Sequence, residues 1–248
     1  MREIYAAAVD PSHPLTDEAL DASLEATIAA RPADAGWWVF AYGSLLWNPL
    51  FPFMEAVPAM LPGLHRSFCL WSRASRGTAH APGLVLGLVP GGCCHGVAYR
   101  LPDDCARDEL KLLWRREMVL GAYRPRWLRV RVDTRFDRKR GTSARAESSR
   151  APSHAARAPT LTALAFVVDR KHAQYTGELS VDDQIRVIAT ARGAFGSTAD
   201  YLERARIALI THGIVDSYLE KLAAGVGARQ SGAQASLATS PRGGRRRR

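Results

Sequence analysis

The sequence is poor in cysteine and contains none of the common metal or nucleotide motifs. It has four cysteines in 248 residues, two of them adjacent at Cys93 and Cys94. The absence of a CxxC pair excludes a disulfide framework and a typical zinc site. No HExxH, no P-loop and no GxGxxG after a strand occurs, and no GxSxG surrounds Ser44, which argues against a hydrolase triad. We therefore expect neither a metal nor a cofactor.

Long apolar runs are also missing. No window approaches the ~18 uninterrupted apolar residues that a membrane helix requires. The first residues have too short an apolar run for a secretory signal and carry an acid as early as Glu3. We therefore expect a cytoplasmic protein with no membrane partner. With 47% apolar residues and six tryptophans, the chain has enough material for a core of ordinary size.

The net charge of +10 is concentrated in two segments. Residues 138–158 carry six basic side chains against one acid, and residues 229–248 carry six arginines and no acid. Both segments are rich in Ala, Ser, Arg and Pro, which favours disorder. We predict a basic disordered loop insert at 138–159 and a disordered basic tail at 226–248. The final arginines would bind a polyanion weakly, and we expect no nucleic-acid partner beyond such contacts.

Hydrophobic periodicity and turn residues predict strands in the first part of the chain and helices mostly in the last part. No regular βαβ alternation is present, so we predict an α+β fold. The predicted strands are 37–42, 65–71, 84–89, 96–101, 127–132 and 162–168. The predicted helices are 16–30, 102–120, 181–192, 197–212 and 214–224.

The most informative segment runs from Trp37 to Pro49. An apolar strand breaks off at Tyr42-Gly43-Ser44, and Asn48-Pro49 closes the turn. A chain that leaves a sheet in this way exposes backbone N–H groups, which can bind a carboxylate or a developing oxyanion. Many ordinary strand-to-turn junctions have the same pattern, so this pattern alone does not identify a binding site.

The second signal is Glu117 on the predicted helix 102–120. Leu110, Leu113, Trp114 and Glu117 fall at i, i+3, i+4 and i+7, so the carboxylate lies about 20° from Leu110 around the axis. Burial raises the pKa of a glutamate towards neutrality, as a general base requires. The alternative is a structural ion pair with an arginine, for which the candidates are Arg66, Arg73 and Arg76.

Six short blocks of sequence occur in an order that is typical of one family. They are Val39–Trp47, Pro62–Phe68, Arg76–Gly83, Cys94–Leu101, Arg116–Tyr123 and Gly193–Leu202, with Tyr175–Gly177 before the last. In this order they resemble the ChaC-type γ-glutamylcyclotransferases, which act on glutathione. The chain departs from the family pattern at Ala74-Ser75, Phe195 and Thr198, which concerns substrate preference more than the reaction.

The resemblance implies a small, partly closed β-barrel flanked by helices over residues 37–225, preceded by a helical extension at 1–36. It also implies cyclisation of the γ-glutamyl group of glutathione to 5-oxoproline, with release of Cys-Gly and Glu117 as general acid and base. The substrate-binding residues that follow are Tyr42, Gly43, Ser44, Leu45, Leu46, Trp47, Arg76, Tyr123 and Tyr201. Two alternatives stay open: cyclisation of other γ-glutamyl amides, and a non-catalytic protein that binds polyanions or nucleic acid.

Overall fold

The computed structural model describes residues 14–133 and 158–238. Five α-helices lie within these ranges, and four begin and end within a few residues of the predicted bounds. They are α1 (Asp17–Ala29), α2 (Ala106–Glu117), α3 (Val181–Thr190), α4 (Thr198–Thr211) and α5 (Ser217–Ala238).

The strands form a closed five-stranded barrel in the order β1-β3-β2-β4-β5, with a two-stranded hairpin beside it. The predicted α+β fold with a barrel is confirmed, and the barrel is closed rather than partly closed. The barrel strands are β1 (Trp38–Ala41), β2 (Glu55–Ser72), β3 (Gly83–Arg100), β4 (Tyr123–Val132) and β5 (Thr160–Val168). The hairpin consists of β6 (Arg192–Gly193) and β7 (Gly196–Ser197).

The short strand β1 explains where the chain leaves the barrel. It pairs with β3 on one side and with β5 at Val39 on the other, and it ends at Ala41. Beyond that end β3 pairs directly with β5, Leu88 opposite Val167. The segment that begins at Tyr42 therefore leaves the sheet between β3 and β5, which pair with each other beyond the end of β1.

Two strands are much longer than predicted. β2 and β3 are each 18 residues long and pair along most of their length. The prediction split β3 at Pro90-Gly91-Gly92 and missed β2 before His65, because proline and glycine normally interrupt a strand. Here a register shift between Pro62 and Leu64 of β2 lies opposite these residues, so the one extra residue of β3 is absorbed without ending the ladder.

The barrel interior and the helix that covers it share one apolar core. Trp114 of α2 is fully buried and packs edge-on against Phe166 of β5, with ring centroids 5.5 Å apart. Leu20 and Leu24 place the buried face of α1 against the same core. This packing fixes α2 on the barrel and therefore fixes the position of its last residue, Glu117.

The predicted tail boundary at 225 is wrong. Helix α5 continues to Ala238, so the tail predicted at 226–248 is helical over its first half. Its composition, with many Ala and few large apolar residues, favours a helix as well as disorder. Residues 239–248, nearly all of the insert at 138–159, and residues 1–13 of the extension lie outside the described residues. Among those that are described, no helix is long and apolar enough to span a membrane.

Candidate active site

Glu117 lies where the helical pattern predicted it, on the buried face of α2. Leu110, Leu113 and Trp114 are all buried, and the Glu117 side chain one turn later is only 15% exposed. The helix ends at this residue, and Met118 donates its backbone N–H to the Trp114 carbonyl at 2.8 Å. The carboxylate is thus held at the end of a packed helix.

The environment of Glu117 favours its neutral form. Burial raises the pKa of its carboxyl above the ordinary value, and the neighbouring Arg116 guanidinium lowers it and offsets part of the rise. Arg116 Nε lies 3.0 Å from Glu117 Oε1, so an ion pair exists, but with the adjacent residue. Of the three arginines expected as partners, Arg66 instead pairs with Asp216 at 3.2 Å.

The segment after β1 forms one turn of 3-10 helix, Ser44–Leu46. Leu46 donates its N–H to the Gly43 carbonyl at 2.9 Å, so the amide of Leu46 is occupied by the turn itself. No side chain caps the turn at Gly43. Within the described ranges, no hydrogen bond uses the amides of Ser44 and Leu45. The amides of Ser44 and Leu45 are therefore available to a ligand, as expected at the start of a helical turn.

Arg116 connects this turn to the glutamate. Its Nη2 donates to Ser44 Oγ at 2.9 Å, and its Nη1 donates to the Asn48 carbonyl. With the contact to Glu117, one guanidinium holds the turn and the carboxylate together. Arg116 was not among the predicted site residues, because an arginine in the last turn of a helix is sufficiently explained by the helix dipole.

Two neighbouring cavities with shared lining residues lie at this junction. The inner one measures about 20 Å³ and reaches the deeply buried Tyr42 and Phe166. The outer one is a cleft of about 530 Å³. Both are lined by Ser44, Glu117, Tyr123 and Tyr201. Of the other predicted site residues, Gly43 and Leu45 line the inner cavity, and Trp47 and Arg76 line the cleft. Leu46 lines neither.

Three tyrosines surround the inner cavity, and two of them are anchored to strand carbonyls. Tyr42 donates to the Phe166 carbonyl at 2.7 Å, and Tyr123 donates to the Leu86 carbonyl at 3.0 Å. Burial raises the pKa of Tyr42 and Tyr201 well above the usual value, and the charge of Glu117 adds to the rise. Both phenols are therefore neutral near neutral pH.

Tyr201 also explains why residue 43 is a glycine. A Cβ at Gly43 would lie 3.0 Å from the Tyr201 hydroxyl, which is tighter than an ordinary contact. The Tyr201 ring packs edge-on against Trp47 at 5.2 Å, and the Arg76 guanidinium lies 5.3 Å from its centroid. Trp47, Arg76 and Tyr201 thus form one wall of the cleft.

The late glycine block supports this wall. Phe195 donates its backbone N–H to the Ser75 carbonyl and accepts from Arg76 Nη1, so the hairpin β6–β7 is bonded to the loop that carries Arg76. Phe195 itself is exposed and lines the cleft. Thr198 is fully buried and donates to the Arg76 carbonyl at 3.1 Å. Of the departures from the family pattern, Ser75 and Phe195 line the cleft and Thr198 does not.

In the parts of the chain that the structure describes, no group of three His, Cys, Asp or Glu side chains is placed to hold a metal ion. The chemistry available at the cleft is therefore that of one carboxyl group of raised pKa, two free amides, three tyrosines and several arginines.

The chain is similar to known proteins over most of its length. A family described as ChaC-like protein matches residues 37–229. The glutathione-specific γ-glutamylcyclotransferase of Escherichia coli K12 is 39% identical over 201 residues, which cover 81% of this chain and 77% of that protein. The mouse glutathione-specific γ-glutamylcyclotransferase 1 is 31% identical over 169 residues, 67% of this chain and 66% of that one. The crystal structure of a yeast γ-glutamylcyclotransferase specific to glutathione has the same fold, with a TM-score of 0.64 at 23% identity over 79% of this chain and all of that one. The chain therefore belongs to the ChaC-like protein family.

Proposed function

We propose that this protein is a γ-glutamylcyclotransferase that converts glutathione to 5-oxoproline and Cys-Gly. The names of its relatives support this activity and this substrate. The observation that carries the proposal is the position of Glu117, with its raised pKa, on the same cavity as the turn that holds the free amides of Ser44 and Leu45.

The reaction needs little from the protein because the substrate supplies its own nucleophile. The α-amine of the γ-glutamyl group attacks the γ-carbonyl carbon, a five-membered lactam forms, and the bond from that carbon to the cysteinyl nitrogen breaks. The protein has to hold the curled conformation, move protons and stabilise the oxyanion. No serine or cysteine nucleophile is required.

Glu117 moves the protons. Two protons leave the α-ammonium group as it becomes the lactam N–H, and two reach the cysteinyl nitrogen as it becomes an ammonium group. A single carboxylate beside both nitrogens can accept and deliver them one at a time. A pKa raised by burial suits both roles near neutral pH, since the group must be a base in one step and an acid in the next.

The turn at Ser44 binds negative charge. The free amides of Ser44 and Leu45 are donors that need no rearrangement, and Arg116 adds a positive charge beside Ser44. They hold the α-carboxylate of the γ-glutamyl group, which places the adjacent α-amine towards Glu117. Tyr201 and Tyr123 close the inner cavity and exclude water from the reacting atoms.

Incubating the purified protein with glutathione tests the proposal directly. We expect equimolar release of 5-oxoproline and Cys-Gly, measured by chromatography, with no added metal or cofactor. Removing residues 239–248, which lie beyond α5, is expected to leave this rate unchanged. Absence of 5-oxoproline would overturn the proposal. Location in the cytoplasm and weak polyanion binding by the basic tail stay predictions.

The pH dependence of catalysis is expected to respond to Arg116. Glu117 must be ionised to accept the first proton, so kcat/KM rises with pH through the raised pKa of this carboxyl. Arg116 stabilises the ionised form at 3.0 Å, so Arg116→Gln raises the pKa further and moves the acid limb to higher pH. Because the turn also loses two hydrogen bonds, we expect kcat to fall about tenfold.

Profiles of kcat/KM against pH for the wild type and Arg116→Gln measure this shift. The matched control is Arg115→Gln, which removes the same charge from an exposed position of the same helix. It should leave the acid limb in place. An unchanged limb in Arg116→Gln, or a shift to lower pH, would contradict the role of Arg116.

A further inference from the structure

The outer part of the cleft carries an excess of positive charge. Three arginines line it, Arg76, Arg116 and Arg204, against a single acidic side chain, Glu117. Glutathione has two carboxylates, one at the γ-glutamyl end and one on its glycine. The turn at Ser44 binds the first carboxylate only. The cleft therefore contains more positively charged side chains than the cyclisation requires.

Two of the three arginines are occupied within the protein. Arg116 contacts Glu117 and donates to Ser44 and to the Asn48 carbonyl. Arg76 lies over the Tyr201 ring and donates to the Phe195 carbonyl. Arg76 and Arg116 therefore stabilise the walls of the cleft.

Arg204 differs from both. It lies on α4 one turn after Tyr201, is exposed, and makes no hydrogen bond or ion pair with any residue in the described ranges. Its neighbour Arg206, on the same helix, is by contrast bound to Glu203 and Glu220. An arginine that lines a cleft without an acidic partner is available to a ligand carboxylate, which it binds through two parallel N–H donors.

Arg204 lines the outer cleft but not the inner cavity. In the proposed reaction the γ-glutamyl group lies beside Ser44 and Glu117, which also line the cleft, so Cys-Gly extends into the rest of the cleft. The residues that line this cleft and are exposed include Leu50, Phe195 and Arg204. Leu50 and Phe195 are apolar and suit the cysteinyl side chain, which leaves Arg204 as the group that matches a terminal carboxylate.

We propose that Arg204 binds the glycine carboxylate of glutathione and is the residue that makes the enzyme prefer a γ-glutamyl tripeptide with a free C-terminus. This inference rests on the proposed function. Arg204 distinguishes glutathione from other γ-glutamyl amides because only glutathione carries a negatively charged carboxylate at this distance from the reacting atoms. The contact lies far from the bonds that change, so it contributes to binding and not to the chemical step.

The test compares glutathione with its C-terminal amide, which differs only in the loss of that charge. For the wild type we expect KM to be about tenfold lower for glutathione than for the amide, with similar kcat. In Arg204→Gln, KM for glutathione rises to that of the amide, while KM for the amide changes less than about twofold. Arg204→Lys, which keeps the charge without the paired donors, recovers part of the preference.

Arg115→Gln serves as the control, because Arg115 is exposed but does not line the cleft. It should retain the full preference for glutathione. If Arg204→Gln still prefers glutathione over the amide, or if Arg115→Gln loses the preference equally, the assignment to Arg204 is overturned while cyclisation stands. If the wild type releases 5-oxoproline from neither compound, the proposed function fails, and this inference fails with it.

Discussion

Replacing Glu117 by glutamine is expected to lower kcat for 5-oxoproline formation by roughly 100- to 10,000-fold. Glutamine has the same size and still forms hydrogen bonds, but it neither accepts nor delivers a proton near neutral pH. The inner cavity and the Ser44 turn remain in place, so the substrate still binds and KM should change little. The measurement is the release of 5-oxoproline under saturating glutathione.

The variant should fold at least as well as the wild type at neutral pH. Burial raises the pKa of Glu117, so the folded state binds a proton more tightly than the unfolded chain does. Stability is then lost as pH rises from the unfolded pKa through the folded one. Glutamine does not titrate. The free energy of unfolding of Glu117→Gln should therefore fall less with rising pH than that of the wild type. Denaturant unfolding at several pH values measures this difference.

Glu109→Gln is the matched control for catalysis. Glu109 lies two turns earlier on the same helix, in its acidic first turn, and does not line either cavity. Its replacement should leave kcat within about twofold of the wild type. If Glu117→Gln retains more than about a tenth of the wild-type rate, proton transfer is performed by another group.

The position of Glu117 was predictable because it depends on one local rule. Helical periodicity places it beside Leu110 and Trp114, and tertiary packing only decides that this face is the buried one. The exit of the chain at Tyr42 was predictable for the same reason, since glycine and small polar residues mark the end of a strand within a few positions.

What the sequence did not predict depends on contacts between distant segments. The role of Arg116 requires the turn that begins at Ser44, 72 residues earlier in the chain, to lie beside it. The burial of Thr198 depends on the loop at Arg76, to which it is bonded. The strands β2 and β3 were predicted too short because propensity at Pro62 and Gly91 is local, whereas the ladder that overrides it is formed with another strand.

The site is therefore assembled from blocks that are separated in sequence but packed in space. The loop after β2, the start of β3 and the hairpin β6–β7 meet at Gly77. A Cβ placed on Gly77 would lie 2.0 Å from the backbone nitrogen of Gly83. A Cβ on Gly193 would lie 2.6 Å from the backbone of Gly77. Three stretches of main chain are in direct contact here, and Arg76 and Phe195 extend from them into the cleft.

Gly77→Ala is accordingly expected to destabilise the protein by about 3 kcal/mol, at the upper end of the usual range for overpacking, because backbone atoms cannot move aside as a side chain can. The corresponding fall in melting temperature is roughly 6–12 °C for a chain of this size. We also expect KM for glutathione to rise severalfold, since displacement of the loop moves Arg76 and Phe195.

Gly227→Ala is the matched control. It tests whether the destabilisation of Gly77→Ala comes from the close backbone contacts at Gly77 or from the loss of any glycine. Gly227 lies inside α5, is exposed, and would have no atom within 4 Å of an added Cβ. Alanine is the better helix former there by about 1 kcal/mol, so the melting temperature should rise slightly and activity should not change. Thermal unfolding of both variants, followed by kinetics on glutathione, measures the contrast. A Gly77→Ala protein as stable as the wild type would mean that these three segments are not packed as described, and the wall of the cleft would lose its support.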